Sequence, residues 1–318
     1  MLDPHNRQFK SLRISLLNQC NFGCIYCVKN EDSNKNISIG TEKFTMNQIA
    51  DAAIKLHRTL KLEKVRLTGG EPSLYPQLAT LVNTLSGAGL PKIGITTNGY
   101  FPKKKLHTYI DAGLAEINFS LDAIDPSTFF TITGKKNLAL ILENIVQAKR
   151  AGLSVKINAV IMKSINDHQI LPLLEFGHTH GVTVRFLELM KMGHLFESMD
   201  FDNQFFPQED ILEKICSKYQ LEPLERKAGA TANYWTTQEG YKFGIIANES
   251  QPFCTDCDRL RLDSEGNIYG CIASETPIAI MDSLGDEGAL KENLQTAMEQ
   301  KQSYSFVGSG RSMIEIGG

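Results

Sequence analysis

Cys20-Asn21-Phe22-Gly23-Cys24-Ile25-Tyr26-Cys27 places three thiols within eight residues, directly after the apolar run that ends at Leu17. Three thiolates at C-x3-C-x2-C spacing in a loop can hold three irons of a 4Fe-4S cluster, leaving the fourth iron without a protein ligand and open to chemistry. Zinc is the alternative, because Cys24 and Cys27 also make a zinc half-site. Structural zinc closes a tetrahedron with four protein ligands, and this loop offers no fourth Cys or His.

Working outward, short β-branched runs alternate with helical stretches. Arg13–Leu17, Val65–Thr68, Ile93–Thr97, Glu116–Leu121, Val155–Ile161 and Val182–Leu189 read as strands. Six strands separated by helices predict parallel β/α units, with working residues at the C-terminal strand ends and in the loops that follow. The cysteine loop occupies such a position. Thr45 and Gln48 form a capping box ahead of Ile49–Leu60, and Leu138–Arg150 ends at Ala151-Gly152 with C-cap chemistry. The fold expected is α/β, a partial (β/α)6 TIM-like barrel over residues 1–190 with an appended unit over 191–318. In that second part Pro207 is expected at the first position of a helix, and Trp235–Ile272 reads as short strands and turns.

The chain has 318 residues, 42% hydrophobic and 22% charged, with a formal net charge of -3. That balance argues against nucleic-acid binding driven by bulk electrostatics. No apolar h-region opens the sequence and no stretch is long enough to span a bilayer, so a cytoplasmic protein with no membrane association is expected. Seven cysteines form two triplets and a singleton, a poor disulfide framework for a chain of this length. Cys216, the singleton, is expected to be a buried structural thiol. The second triplet, Cys254-x2-Cys257-x13-Cys271, repeats the ligand arithmetic of the first and again lacks a nearby histidine, with zinc completed by a distant ligand as the competitor. Arg259 and Arg261 follow the Cys254/Cys257 pair at i and i+2, on one face of a strand, as a pair of guanidiniums suited to phosphate.

Gly69-Gly70-Glu71-Pro72 follows the second strand, where paired glycines admit close backbone approach. Thr97, Ser120 and Lys156 are polar residues near strand ends. His178 and His180 do not share a helix face, and Lys103-Lys104-Lys105 reads as a solvated helix start, so neither group joins the site.

With Phe22 and Tyr26, the first triplet resembles the C-x3-C-x-aromatic-C signature of radical S-adenosylmethionine (SAM) enzymes. The two triplets, the F-C-x2-C-x-R-x-R-L run at 253–262, Ser120-Leu121-Asp122, Lys156-Ile157-Asn158-Ala159-Val160 and the Gly317-Gly318 end together resemble the GTP 3',8-cyclase family of molybdenum-cofactor biosynthesis, over nearly the whole chain. The resemblance implies two 4Fe-4S clusters, on Cys20, Cys24 and Cys27 and on Cys254, Cys257 and Cys271, the second binding the purine through its open iron. It implies SAM held by Tyr26, Gly69, Gly70, Glu71, Thr97, Ser120, Lys156 and Met190. GTP would meet Arg13, Lys64, Arg66, Arg185, Arg259 and Arg261, with Arg13, Gly317 and Gly318 taking part in catalysis. An electron donor such as flavodoxin or ferredoxin, and a homodimer, are the partners it suggests. The family usually has Arg where this chain has Gly23, Met-Pro where it has Val28-Lys29, Asn at Asp258 and an acidic residue at Lys191. A radical SAM enzyme with an auxiliary cluster, acting on another nucleotide or on a peptide, is the alternative.

Overall fold

The computed structural model describes residues 1–28, 37–38 and 44–317. Lys29 and Gly318 lie outside the described residues. Six strands, β1 (Ser11–Ser15), β2 (Lys64–Thr68), β3 (Ile93–Thr97), β4 (Glu116–Ser120), β5 (Ser154–Ile161) and β6 (Thr183–Glu188), pair in sequence order and run parallel. Between them lie α1 (Met46–Leu60), α2 (Leu78–Gly87), α3 (Lys103–Asp111), α4 (Pro126–Thr133), α5 (Leu138–Arg150) and α6 (Ile170–Thr179). This is the partial barrel expected from the alternation. β1 starts and stops two residues earlier than Arg13–Leu17. Leu16 and Leu17 are both buried, so the chain has left the pleat there, although Leu16 N–H still bonds Thr68 O at 2.9 Å.

Helix formation follows local rules. Thr45 and Gln48 cap α1 reciprocally, and its buried residues Ile49, Ala52, Ala53, Leu56 and Leu60 recur at helical spacing along one stripe. In α5, Leu138, Ile141, Ile145 and Ala148 do the same, with Asn137 as the cap. These stripes cover a convex sheet face of Leu12, Ile14, Leu67, Ile95, Ile117, Phe119, Ile157 and Phe186, all essentially inaccessible to solvent. Alternate residues of the same strands face the other way. That concave row carries Arg13, Arg66, Glu116, Lys156, Asn158 and Arg185.

The residues after 190 continue the same sheet at both edges. They supply α7 (Met199–Gln204), α8 (Gln208–Cys216), β7 (Leu221–Leu224), β8 (Asn233–Thr237), β9 (Lys242–Ile246), β10 (Arg259–Leu262), β11 (Asn267–Tyr269), β12 (Ile278–Ala279), α9 (Glu287–Glu299) and the short α10 (Met313–Ile316). The sheet order is β12-β11-β10-β1-β2-β3-β4-β5-β6-β9-β8-β7. β9 adds parallel to β6 and β10 parallel to β1, while the outer strands are antiparallel. Pairing of β10 with β1 sets Arg261 beside Arg13, which itself lies beside Arg66 on β2.

Two expectations need correction. Pro207 is the N-cap of α8, and the helix begins one residue later. Cys216 is exposed: α8 buries Gln208, Ile211 and Ile215, and the next residue turns about 100° off that stripe.

Candidate active site

One cavity runs along the concave face of the parallel strands, and its wall includes all six triplet cysteines: the first triplet follows β1 at the C-terminal strand ends, while Cys254 and Cys257 precede β10 beside the N-terminal end of β1. Arg13, Arg185, Arg259 and Arg261 line it between the two triplets, together with Tyr26, Gly69, Gly70, Glu71, Thr97, Ser120 and Met190. Thus the loop after β1 and the turn before β10 face one another across a shared space.

The first cysteine loop is pinned from several sides. Ile25 N–H bonds Ile132 O at 3.1 Å and Gly23 N–H bonds Thr133 O at 3.4 Å, so the loop docks on the end of α4. Phe22 is buried, with its ring edge-on to Tyr100 and Phe129 at 5.5 and 6.0 Å. Tyr26 Oη donates to Asp122 Oδ2 at 2.8 Å, and Asp122 Oδ1 accepts from Val160 N–H at 2.8 Å, which ties the loop to β5 and to the turn after β4. Burial pushes the Cys20 thiol up to about 11 and raises Cys24 and Cys27 further, each helped by the charge of its neighbours. Thiols this reluctant to ionise alone become thiolates when a cationic metal centre supplies the opposing charge.

The glycines after β2 are required by contact. A Cβ on Gly70 would fall 2.1 Å from Gln19 O, and one on Gly69, at φ 148°, 2.6 Å from Leu17 O. Gly70 N–H and Glu71 N–H bond Leu17 O and Gln19 O, each at 2.8 Å, so β1's exit and the Gly-Gly turn lie backbone to backbone beside Cys20. Replacing Gly70 by alanine should lower stability by about 1–3 kcal/mol, seen as a lower thermal midpoint, because backbone rather than a flexible side chain must yield. Glu71, 1% exposed, accepts from Thr97 Oγ1 at 2.6 Å, Asn98 N–H at 2.7 Å and Ser73 N–H at 2.9 Å. It fixes the turn and the end of β3 as a unit.

Around the second triplet, Cys257 N–H bonds Cys254 O at 3.3 Å and Arg259 Nη1 lies 3.1 Å from Cys257 Sγ. Burial alone would raise the Cys257 thiol, but Lys301 and Arg259 outweigh it and bring it down to about 6. Asp256, between the two cysteines, receives a bidentate pair from Arg226 at 2.7 Å and Gly229 N–H at 2.9 Å. Arg261 Nη1 donates to Ile316 O at 3.3 Å and to Gly317 O. Gly317, at φ 72°, sits where a Cβ would lie 2.8 Å from Thr68 Cγ2 and 3.0 Å from Ser15 Cβ, so the tail is wedged over the ends of β1 and β2.

The cations are undercompensated. Burial lowers Arg13, and Arg261, Arg259, Arg66 and Arg185 lower it further. Burial also brings Arg185 and Arg261 down to about 10 and Lys156 to about 8, with neighbouring guanidiniums adding to each. Lys64 and Arg66 are lowered as well, mainly by burial. Such a group is built to receive a polyanion. Lys64, Arg66, Lys156 and Gly317 are not part of the cavity wall. Arg66 is held by Glu116 at 2.6 Å and Ile95 O at 3.0 Å, reaching across Gly94, where a Cβ would obstruct it at 2.8 Å.

Gly23, Val28, Lys191 and Asp258 are likewise absent from the wall. Val28 packs with Cys27 against Ile314 of α10, and Lys191 lies over the Phe201 ring at 5.4 Å.

A family model described as "Radical SAM superfamily" matches residues 14–177, and one described as "Molybdenum Cofactor Synthesis C" matches residues 182–307. The GTP 3',8-cyclase of Synechocystis sp. is 35% identical over 280 residues, covering 88% of this chain and 84% of its own. The chain belongs to the GTP 3',8-cyclase family. The Staphylococcus aureus member is 38% identical over 276 residues, 85% of this chain and 80% of its own. Among solved structures, Streptococcus suis SuiB bound to precursor peptide SuiA shares the fold at a TM-score of 0.66 and 15% identity, covering 92% of this chain and 68% of its own. Native anSMEcpe with bound AdoMet does so at 0.55 and 13%, covering 89% and 82%.

Radical SAM membership implies a 4Fe-4S cluster and SAM, and the cysteine loop fits that cluster by its donor set: three thiols in one cavity wall. Among the described residues no three His, Cys, Asp or Glu side chains converge as ligands of a single ion would. Cluster thiolates, each on its own iron, need no such convergence. No described helix is long and apolar enough to cross a membrane.

Two cavity residues of this GTP 3',8-cyclase family member stand outside the site residues expected from the sequence: Asn158, although it lies in the Lys156–Val160 run, and Lys301. Asn158 holds Arg185 through Oδ1, at 2.9 Å to Nε and 2.6 Å to Nη2. For Asn158 the signal is the polar-apolar alternation over Ser154–Ala159, unusual for a parallel strand covered on both faces and explained by one face lining a polar cavity. Lys301 also lines the cavity, and nothing in its local sequence marks it.

Proposed function

We propose that this chain is a radical SAM GTP 3',8-cyclase, converting GTP to (8S)-3',8-cyclo-7,8-dihydroguanosine 5'-triphosphate, the first step of molybdopterin biosynthesis. The observation that carries this reading is the single cavity with a thiol triplet at each end and arginines from β1, β6 and β10 between them. When bound and reduced, the first cluster and SAM supply a 5'-deoxyadenosyl radical able to take the ribose 3' hydrogen of GTP.

The chain's own residues place the partners for that event. Cys20, Cys24 and Cys27 carry the first cluster, and Tyr26, Gly69, Gly70, Glu71, Thr97, Ser120, Lys156 and Met190 position SAM beside it. Cys254, Cys257 and Cys271 would hold a second 4Fe-4S cluster, which would supply a binding point for the purine. Arg13, Arg185, Arg259 and Arg261 hold the triphosphate and ribose, with Lys64 and the Glu116-paired Arg66 behind them. Arg13 and the Gly317-Gly318 tail close on the reacting sugar, and a larger residue at 317 would collide with Ser15 and Thr68 at the ends of β1 and β2. Residues 1–190 act as the SAM-binding barrel, and 191–318 carry the second cluster and the Gly-Gly tail. The enzyme works in the cytoplasm as a homodimer, receiving electrons from a flavodoxin or ferredoxin. The positions that depart from the family pattern and are described here stand outside the cavity wall, which supports GTP over another nucleotide.

Anaerobic protein given SAM and dithionite should form 5'-deoxyadenosine strongly only when GTP is added. Equal formation with guanosine, ATP or no substrate would overturn the assignment.

A further inference from the structure

Lys301 follows α9 by two residues and is 7% exposed. Its Nζ donates to Arg259 O at 2.9 Å and to Gly270 O at 2.8 Å, and lies 5.3 Å from the centre of the Phe9 ring. Those two carbonyls belong to the two segments that carry the second triplet: Arg259 is two residues after Cys257, and Gly270 immediately precedes Cys271. The approach depends on Gly270, since a Cβ there would lie 1.9 Å from Ala297 O at the end of α9. Cys254 and Cys257 both feel the ammonium's charge.

Carbonyls and a ring face solvate an ammonium without neutralising it. Two other cations near this triplet do have carboxylate partners: Arg7 is paired with Asp3 at 2.6 Å and Arg226 with Asp256 at 2.7 Å. Among the described residues, no carboxylate lies within ion-pair distance of Lys301. A buried ammonium without an anion is costly, and Lys301 shares the cavity wall with the thiols of the second triplet.

We propose that Lys301 is a positioning residue whose ammonium is the counter-charge of the second cluster, joining its two ligand-bearing segments and raising its reduction potential. This rests on the reading that Cys254, Cys257 and Cys271 hold a 4Fe-4S cluster. A fixed positive charge beside a cluster favours the reduced, more negative state, and its removal lowers the potential. Arginine at 301 keeps the charge, and methionine keeps the length without it.

The test uses anaerobically reconstituted full-length protein, iron analysis and potentiometric titration followed by electron paramagnetic resonance, with wild type, Lys301→Met and Lys301→Arg compared. With about eight irons per chain, Lys301→Met should show a reduced-to-oxidised ratio for the second cluster at least tenfold lower at fixed potential, a shift of about 59 mV for a one-electron couple. Lys301→Arg should stay near wild type. If Lys301→Met sheds the second cluster, retention by Lys301→Arg supports the charge requirement, and equal loss from both variants overturns it. An unchanged potential in fully loaded Lys301→Met also overturns it. Only about four irons in wild type would instead remove the second cluster itself.

Discussion

Cys24→Ala protein should form no 5'-deoxyadenosine from SAM, with or without GTP, while about four irons per chain remain on the second triplet. Cys24 stands between the other two ligands in sequence, and its carbonyl accepts from both Cys27 N–H at 2.8 Å and Val28 N–H at 3.1 Å. Alanine preserves that backbone turn, so the loop keeps its shape and loses one iron ligand. The effect is therefore confined to the metal centre, and because the cofactors perform the bond cleavage, the loss of turnover is complete. Iron analysis with product chromatography checks it. Retained SAM cleavage would place the reactive centre elsewhere.

Arg261→Ala should weaken GTP binding about 10- to 150-fold, the range for losing one charge-assisted hydrogen bond of about 1.5–3 kcal/mol. The side chain is buried and lines the cavity beside Cys257 and Cys271, so solvent does little to screen it. It also donates to the carbonyls of Ile316 and Gly317, and its loss should loosen the tail. Guanosine, which lacks the phosphates, should lose far less affinity, and SAM affinity should be unchanged. Equilibrium binding to anaerobic protein separates these outcomes. A peptide-acting enzyme with an auxiliary cluster would show unaltered GTP affinity in this variant.

Much of this site is legible in the sequence because its parts are local. The C-x3-C-x2-C loop, the Gly-Gly-Glu turn and the second triplet each carry their geometry within a few residues, and the parallel strands are marked by β-branched runs between capped helices. What the sequence does not show is pairing between distant segments. The register that sets Arg261 beside Arg13 depends on β10 joining β1 across most of the chain, and no local pattern encodes it. The continuation of one sheet through residues 221–279 is hidden for the same reason. Arg66 shows how identity alone misleads: the resemblance offers it to GTP, yet Gly94 lets it cross β3 to Glu116. Lys301 is the converse, an unremarked lysine after a helix that folding carries to the second triplet.

The central claim is that the radical generated at the first triplet acts on the ribose of GTP held at the second. Its most direct measurement is mass analysis of 5'-deoxyadenosine formed anaerobically from SAM and dithionite in the presence of GTP deuterated at the ribose 3' position. The account predicts deuterium in the 5'-deoxyadenosine. Unlabelled 5'-deoxyadenosine, formed at the same rate without GTP, would contradict it.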